Sequence, residues 1–310
     1  MKRVYFILIF TLTSCYHSQV TIPIVKPAKI NLAKYDNIAV GEILDNRFNR
    51  DLELENLIKH NLIQFSGLNL LDERYLQSVI WNSKYNTANK NDSILASTVL
   101  VSASIIDMDF NSSTEFIKEI VEIKKKDTVI KKEYKITSEF DLKLSFNITD
   151  INSGVIIYNN SFKEFFNDSE KYFDNYVPVI NKKSVFERMK QRIVDRFFRD
   201  ILPTKTNVRV YFKDYKGMYS VGIQYARQGL LDKAKEYFEM QVKYQNENRK
   251  ISWAYYNLGL CNMYLYDFDN AYYCFEQAET YMHDVDNYNM IVKCQQLEAD
   301  FLVLQEQMRD

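Results

Sequence analysis

The sequence is poor in the residues from which most recognised catalytic and cofactor sites are built. Among its 310 residues are only 7 Gly, 4 Pro, 4 Cys and 3 His. This leaves little material for glycine-rich phosphate loops or multi-histidine metal sites. The motifs G-x-S-x-G and H-E-x-x-H, the P-loop and the dinucleotide fingerprint do not occur. We therefore expect a protein that is not an enzyme, with no catalytic residue, no metal and no cofactor.

An excess of positive charge is also lacking. The chain has 40 Lys+Arg against 41 Asp+Glu, a net charge of -1. Proteins that hold nucleic acid through its phosphates need a positive surface field, so we expect no nucleic-acid partner. The length and the 46% of hydrophobic residues are typical of about two folded domains.

The N-terminus carries an export signal. Lys2 and Arg3 precede an apolar run over residues 4–12, about half the ~20 residues that a membrane-spanning helix needs. The run ends in Leu12-Thr13-Ser14-Cys15. This ending resembles the lipobox of bacterial lipoproteins, in which the signal peptidase cuts before the cysteine and diacylglycerol is attached to its sulfur. Residues 1–14 are then the signal peptide, and an ordinary secreted protein is the alternative.

The resemblance implies that Cys15 is the lipidation site. Two or three acyl chains such as palmitate would anchor the protein in the cell envelope, and we expect the outer membrane, facing the periplasm. Residues 15–34, restricted by Pro23 and Pro27, are predicted to form an extended tether.

Residues 35–205 are predicted to form an α+β domain, an α/β sandwich. We expect a strand at 37–40, a helix at 52–65, a strand at 68–72 whose Asp72 caps the next helix, and a central strand at 98–106 covered on both faces. Residues 136–148 alternate apolar and polar side chains, which predicts a strand with one buried face. A turn at 150–154, a returning strand, and a helix at 183–202 ending before Pro203 complete the domain.

This order of elements, with Ile38-Ala39-Val40 and Leu70-Leu71-Asp72-Glu73-Arg74, is similar to the N-terminal domain of a group of envelope lipoproteins. The group includes the curli secretion channel and the lipoprotein activators of penicillin-binding proteins. Channel members insert long hairpins in a membrane. Here the hairpin candidate at 115–135 carries Lys118 and Glu119 on its faces and Lys124, Lys125, Lys126, Lys131 and Lys132 near its tip, which disfavours insertion.

Residues 206–310 contain an internal repeat. Gly222, Ala234 and Phe238 recur 37 residues later as Gly259, Ala271 and Phe275. These recurring residues resemble those of tetratricopeptide repeats. Such repeats are all-α helix pairs with small residues where the two helices cross and aromatic residues in the joint between them. A capping helix is expected over 285–304, burying Tyr288, Ile291, Val292, Ala299 and Leu302.

In the tetratricopeptide family the first helix of each pair lines a concave groove. The resemblance therefore implies that an envelope protein or peptide binds to Tyr219, Ile223, Arg227, Trp253, Tyr256, Leu260, Met263 and Tyr264. Two alternatives stay open: the aromatics pack between helices, or the groove is covered by the first domain.

These features favour a lipid-anchored, non-catalytic scaffold or adaptor for protein binding. The alternatives are a lipoprotein regulator of a cell-wall synthase and an enzyme that acts on cell-wall polymer through a carboxylate pair such as Asp107 and Asp109. The remaining cysteines, Cys261, Cys274 and Cys294, lack C-x-x-C spacing and are predicted to be buried free thiols.

Overall fold

The structure is a computed structural model that describes residues 17–45, 49–65, 67–85, 92–124, 127–173, 177–215 and 217–308. The chain divides into two compact units. The sheet unit comprises Ala28–Pro203 with residues 307–308, and the helical unit comprises residues 17–27 with Thr204–Glu306. The predicted tether therefore begins within the helical unit, which the sequence patterns did not indicate.

The elements are β1 (His17–Lys26), β2 (Asn37–Val40), α1 (Leu52–Phe65), β3 (Asn69–Leu71), α2 (Glu73–Tyr85), α3 (Asp92–Ala96), β4 (Thr98–Lys124), β5 (Asp127–Asp150), β6 (Ile156–Phe173), α4 (Lys182–Ile201), β7 (Thr204–Lys213), α5 (Ser220–Arg227), α6 (Leu231–Tyr244), α7 (Asn248–Tyr264), α8 (Phe268–Tyr281) and α9 (Val285–Gln307). The α+β character of the first region is thus confirmed.

The sheet unit is built on five strands in the order β3-β2-β4-β5-β6. Strand β2 runs parallel to β3 and β4, while the β4–β5 and β5–β6 pairs are antiparallel. The two parallel crossovers lead to opposite sides of β2, so their right-handed sense puts α1 and α2 on opposite faces of the sheet. Asp72 caps α2 as expected, since its Oδ1 accepts from the backbone N–H of Arg74 at 2.8 Å.

The core of the sheet unit lies on the face of β5 that carries its even-numbered residues. Phe140, Leu142, Leu144, Phe146 and Ile148 are fully buried, which confirms the predicted alternation. Helix α4 packs on this face, and the ring of Phe197 stacks on that of Phe146 with centroids 4.3 Å apart. We call this the core face and the opposite side of β4–β6 the open face.

The prediction that residues 98–106 are covered on both faces holds at the start of the run, where Thr98 and Val99 are both fully buried, and is wrong at its end. Val99, Val101, Ala103 and Ile105 are buried on the core face, but Ile106 is 49% exposed. The register shifts between Ile105 and Asp107, as a β-bulge requires, and the strand continues to Lys124. Strand β4 is a central strand only where it pairs with β2.

The two ends of the sheet unit are held together at a buried carboxylate. Asp200, near the end of α4, is 7% exposed and accepts a hydrogen bond from the Tyr158 hydroxyl at 2.9 Å. The Lys29 ammonium lies 2.8 Å from Asp200 Oδ1, and the Lys29 backbone N–H donates to the Asp200 carbonyl at 2.7 Å. The chain therefore enters and leaves this unit at neighbouring positions.

The predicted tether is instead largely a β-strand. Strand β1 pairs antiparallel with β7 along its whole length, from His17↔Lys213 to Lys26↔Thr204. A two-stranded ribbon leaves one edge of each strand unpaired, and Pro23, which lacks an N–H, is tolerated in such an edge strand. The extended conformation expected from the prolines is present, but hydrogen bonds to β7 hold it.

The same close contact between two helices occurs twice in the helical unit. A Cβ added to Gly222 would lie 2.8 Å from the ring of Phe238, and a Cβ added to Gly259 would lie 2.7 Å from the ring of Phe275. Both rings are fully buried. Each pair, α5–α6 and α7–α8, thus needs glycine where its helices meet. Within the described ranges, no helix combines the length and the apolar character needed to cross a bilayer.

We expect Gly259→Ala to destabilise the helical unit by about 1–3 kcal/mol because the new methyl group overlaps the Phe275 ring. This loss outweighs the gain of about 1 kcal/mol that alanine brings to a helix interior. Chemical unfolding followed by circular dichroism measures the difference. Gly67→Ala is the control, since a Cβ there meets nothing within 4 Å. Equal stabilities for the two variants would contradict the close-packed joint.

Candidate functional site

The residues predicted to line a partner-binding groove lie mostly in the core of the helical unit. Seven of the eight are at most 6% exposed: Tyr219, Ile223, Trp253, Tyr256, Leu260, Met263 and Tyr264. The eighth, Arg227, lies at the surface. The predicted exposure of the aromatic anchors is therefore wrong, and the alternative that they pack inside the protein holds.

The face of α5 and α7 that should form the groove is covered by the β1–β7 ribbon. The ribbon inserts apolar side chains from both strands into the helical core: Val20, Ile22, Ile24, Val210 and Phe212. Two of the predicted groove residues bind its backbone, since Arg227 Nε donates to the Gln19 carbonyl at 3.4 Å and the Tyr256 hydroxyl donates to the Tyr211 carbonyl at 3.3 Å. The β1–β7 ribbon thus occupies the surface to which the family resemblance predicted that a peptide binds.

A buried lysine fixes the end of the ribbon. Lys213 Nζ lies 2.6 Å from Asp284 Oδ2, 3.6 Å from Asp286 Oδ2 and 4.4 Å from the centre of the Tyr256 ring. The Asn257 side chain accepts from the backbone N–H of Lys213 at 2.8 Å and donates to its carbonyl at 2.7 Å. Burial opposes ionisation of Asp284, but the hydrogen bond and charge of Lys213 and the hydrogen bond from the backbone N–H of Asp286 together outweigh it and lower the pKa of that carboxyl.

No motif in the sequence pointed to Lys213. It ends an alternating run, Val208-Arg209-Val210-Tyr211-Phe212, whose period of two predicts a strand and could have revealed the ribbon. Its carboxylate partners lie 71 and 73 positions further along the chain, too far for a local pattern to connect them.

A second ionic cluster follows β2. The Arg50 guanidinium binds both oxygens of Glu55 at 2.9 Å and one oxygen each of Glu42 and Glu73 at 3.1 Å. Glu55 is 2% exposed, and the hydrogen bonds from Arg50 lower the pKa of its carboxyl. The cluster ties the loop after β2 to α1 and α2.

The carboxylate pair considered for an enzyme lies on the open face. Asp109 lies directly opposite Asp141 of the next strand, whose Oδ1 lies 2.7 Å from Lys163 Nζ, and Asp107 lies opposite Lys143. The hydrogen bond with Asp107 and its negative charge raise the pKa of Asp109. Asp109 itself is exposed on the strand surface. The arrangement is a mixed-charge surface of a sheet.

The three remaining cysteines are buried free thiols, as predicted. Burial raises the pKa of Cys274 to about 12 and that of Cys294 to about 11, so neither forms a thiolate at neutral pH. His17 lies 3.5 Å from Asp286, and His283 lies 2.7 Å from Glu279. In the part of the chain that the structure describes, no group of three or more His, Cys, Asp or Glu side chains could hold a metal ion.

The sheet unit carries an exposed arm, residues 111–124, 127–139 and 167–173 of β4, β5 and β6, which has three strands as far as Glu133 and two strands, β4 and β5, beyond it. Its strands continue the sheet for about 40 Å at ~3.3 Å per residue. On the core face an aromatic ladder crosses all three strands, with ring centroids 5.7 Å apart for Phe116–Tyr134 and 5.4 Å for Tyr134–Tyr172. On the open face Glu133 lies between Lys118 and Lys171.

The arm exposes a tip patch, which we define as Phe116, at one end of the ladder, together with Val121 and Ile130, which lie beyond the ladder. These side chains are 51%, 58% and 55% exposed and lie on one side of the arm, with Val121 and Ile130 directly opposite in register. Of the lysines predicted near the tip, Lys132 lies 3.7 Å from Glu119. The side chains at 124–126 lie outside the described part of the chain, as does Cys15.

The predicted buried stripe of the capping helix is wrong for all but one residue. Helix α9 turns Cys294, Leu297 and Phe301 toward the helical core. Ile291 also packs there, but Tyr288, Val292, Ala299 and Leu302 face outward. The helix therefore caps the array with its other side and leaves an apolar face exposed.

No protein-family profile matches the chain, and no curated protein sequence matches it. Among solved structures, the PelC dodecamer from Paraburkholderia phytofirmans is 9% identical, with 60% of this chain and 99% of that chain covered and a TM-score of 0.30. Lipoprotein GNA1162 from Neisseria meningitidis is 10% identical over 51% of this chain and 98% of its own, with a TM-score of 0.23.

The rare lipoprotein B from Shewanella oneidensis is 12% identical, with 53% of this chain and 92% of that chain covered and a TM-score of 0.21. Bacterial lipoproteins are thus among the structural neighbours. Likeness at these TM-scores establishes neither a common fold nor a common function.

We expect Asp284→Asn to lower the free energy of unfolding by about 3 kcal/mol at pH 7 because it leaves the Lys213 ammonium buried without its closest counter-charge. The folded pKa of Asp284 lies below its ordinary 3.8, so its contribution is present above that pH and disappears as pH falls through the folded value. Urea unfolding at pH 7 and at a series of lower pH values should show the difference between the two proteins shrinking as the pH falls through the folded pKa of Asp284.

The control is Asp286→Asn, whose carboxylate is 45% exposed and lies further from Lys213. It should cost less than about 1 kcal/mol, as exposed ion pairs do. A gap between wild type and Asp284→Asn that stays constant with pH would show that the ion pair does not carry the effect.

Proposed function

We propose that the chain is a lipid-anchored, non-catalytic scaffold of the bacterial envelope, attached to the membrane through Cys15, and that it binds another envelope protein through the arm. The observation that carries this proposal is the tip patch, three apolar side chains each more than half exposed on the outer part of the arm. The export signal and the lipobox-like Leu12-Thr13-Ser14-Cys15 support the location, with the outer membrane as the expected site.

Exposing the apolar side chains of the tip patch to water is unfavourable, and the fold of the sheet unit does not require this exposure. The same alternation that buries Phe140 and Leu142 further down β5 continues into the arm, but helix α4 covers only the proximal part of the core face. Large apolar side chains exposed together on a folded protein mark surfaces that other molecules cover. The Glu119–Lys132 ion pair lies on the same side of the arm, between Phe116 and the Val121–Ile130 pair, and supplies the polar contacts that protein interfaces combine with apolar ones.

The aromatic ladder supports one side of the patch. Phe116 contacts Tyr134, which stacks on Tyr172, so this member of the patch is held against aromatic side chains of two further strands. A pre-ordered surface loses little conformational freedom when it binds. This favours the arm over the helical repeats as the binding element, because the predicted groove is filled by the β1–β7 ribbon.

The lipid anchor is tested by Cys15→Ser. We expect the variant to be released from envelopes as a folded protein, because the thioether is lost while the described units are untouched. Fractionation after washing with high salt, with circular dichroism of the released chain, gives the result. Retention of the variant in the membrane fraction would refute attachment through Cys15 alone.

The binding surface is tested by Phe116→Glu. A charge in the tip patch should reduce partner capture from detergent-solubilised envelopes by about tenfold or more, because a buried unpaired carboxylate opposes association. Phe165→Glu is the matched control, since Phe165 is 53% exposed against 51% for Phe116 but lies on the open face. Both variants should keep the wild-type circular dichroism spectrum. Equal capture by the two would exclude the tip patch as the binding site.

A further inference from the structure

The outer face of α9 is a second exposed apolar surface, separate from the arm. Val285 is 74% exposed, Tyr288 65%, Val292 48%, Leu302 57% and Val303 42%. With the exposed Ala299 they follow spacings of three and four residues and so form one stripe along the helix, which we call the outer stripe. The last helix of a stacked array ordinarily presents a polar outer face to water. Here that face is apolar over a helix about 34 Å long.

We infer that the outer stripe binds the outer stripe of a second copy of this chain, with the two α9 helices antiparallel and related by a two-fold axis. The stripe is complementary to itself about a centre between Gln295 and Gln296. In that arrangement Val292 lies opposite Ala299 of the second copy, and Tyr288 lies opposite Val303. Large side chains meet small ones, and the central glutamines set the register, as single polar residues do in paired helices.

Charge placement favours the same arrangement. At 3.6 residues per turn, Lys293 and Asp300 lie on one flank of the stripe, separated by about 20° around the helix axis. A two-fold axis between antiparallel helices brings equal flanks together, so Lys293 of each copy lies beside Asp300 of the other. On the opposite flank Glu298 is already bound by the Tyr272 hydroxyl at 2.7 Å. A parallel pair would instead set Lys293 beside Ile291.

Disulfide cross-linking tests the register. In a Cys15→Ser background, the full chain carrying both Val292→Cys and Ala299→Cys should form a cross-linked dimer under mild oxidation. Residues 292 and 299 are about 10 Å apart along one helix, which is too far for an internal disulfide. Each single variant should remain uncross-linked, because antiparallel pairing keeps like positions equally far apart. Cross-linking of the single variants would overturn the antiparallel arrangement.

Sedimentation equilibrium of the full chain with Cys15→Ser in detergent tests the association itself. We expect a dimer whose dissociation constant rises about tenfold or more with Val292→Glu, which buries a carboxylate in the stripe. Val221→Glu is the matched control, because Val221 on α5 is also 48% exposed. A wild-type monomer, or equal dissociation constants for the two variants, would overturn the proposal. Neither outcome bears on partner capture by the arm.

Discussion

The backbone pairing of β1 with β7 is the constraint on which the rest of the architecture depends. It joins residues 17–26 to residues 204–213, so everything between them forms an insertion within a two-stranded ribbon. The ribbon supplies five apolar side chains to the helical core and packs against α5 and α7. Phe212 stacks on Phe238 of α6, and the Tyr211 carbonyl accepts a hydrogen bond from the Tyr256 hydroxyl of α7. Two helix pairs are too few to bury their own inner face, and the ribbon completes that core.

The second organising feature is the unequal cover of the sheet. Helices α1 and α4 lie on the proximal core face, while the strands run on past them for more than ten residues. The pattern of apolar side chains on β5 does not stop where the helices stop. The protein thus carries two exposed apolar surfaces on different units. The tip patch lies at the end of paired strands, and the outer stripe lies along the side of a helix.

Local periodicity predicted the helices and strands well, but it did not predict which of them pair or pack with one another. The helix at 52–65 and the alternation at 136–148 have the observed bounds or faces, since each pattern is set by neighbours a few residues away. The pairing of β1 with β7 could not be read this way, because no local signal links strands so far apart. For α9 the pattern was ambiguous, as Val292 and Leu302 on one side and Cys294 and Phe301 on the other are all apolar.

The sequence itself contains a pattern that argues against the predicted binding groove. Helix α7 has apolar or small residues all round its second half, from Trp253 to Tyr264, and a helix of that kind is buried on every side. The family resemblance placed one of those sides toward a partner. Packing against the ribbon on one side and α8 on another leaves no such side free within the described residues.

The insertion also sets an order of folding. Closing a disordered loop of about 180 residues costs about 2.5 kcal/mol more than closing one of about ten. A folded sheet unit removes most of that difference, because the contact of Lys29 with Asp200 already holds its two ends side by side. Most residues of the helical unit are synthesised last. Strands β1 and β7 of that unit therefore pair at a low entropic cost only after the sheet unit has formed. Damage to the sheet unit would therefore weaken the helical unit even when no residue of the helical unit is changed.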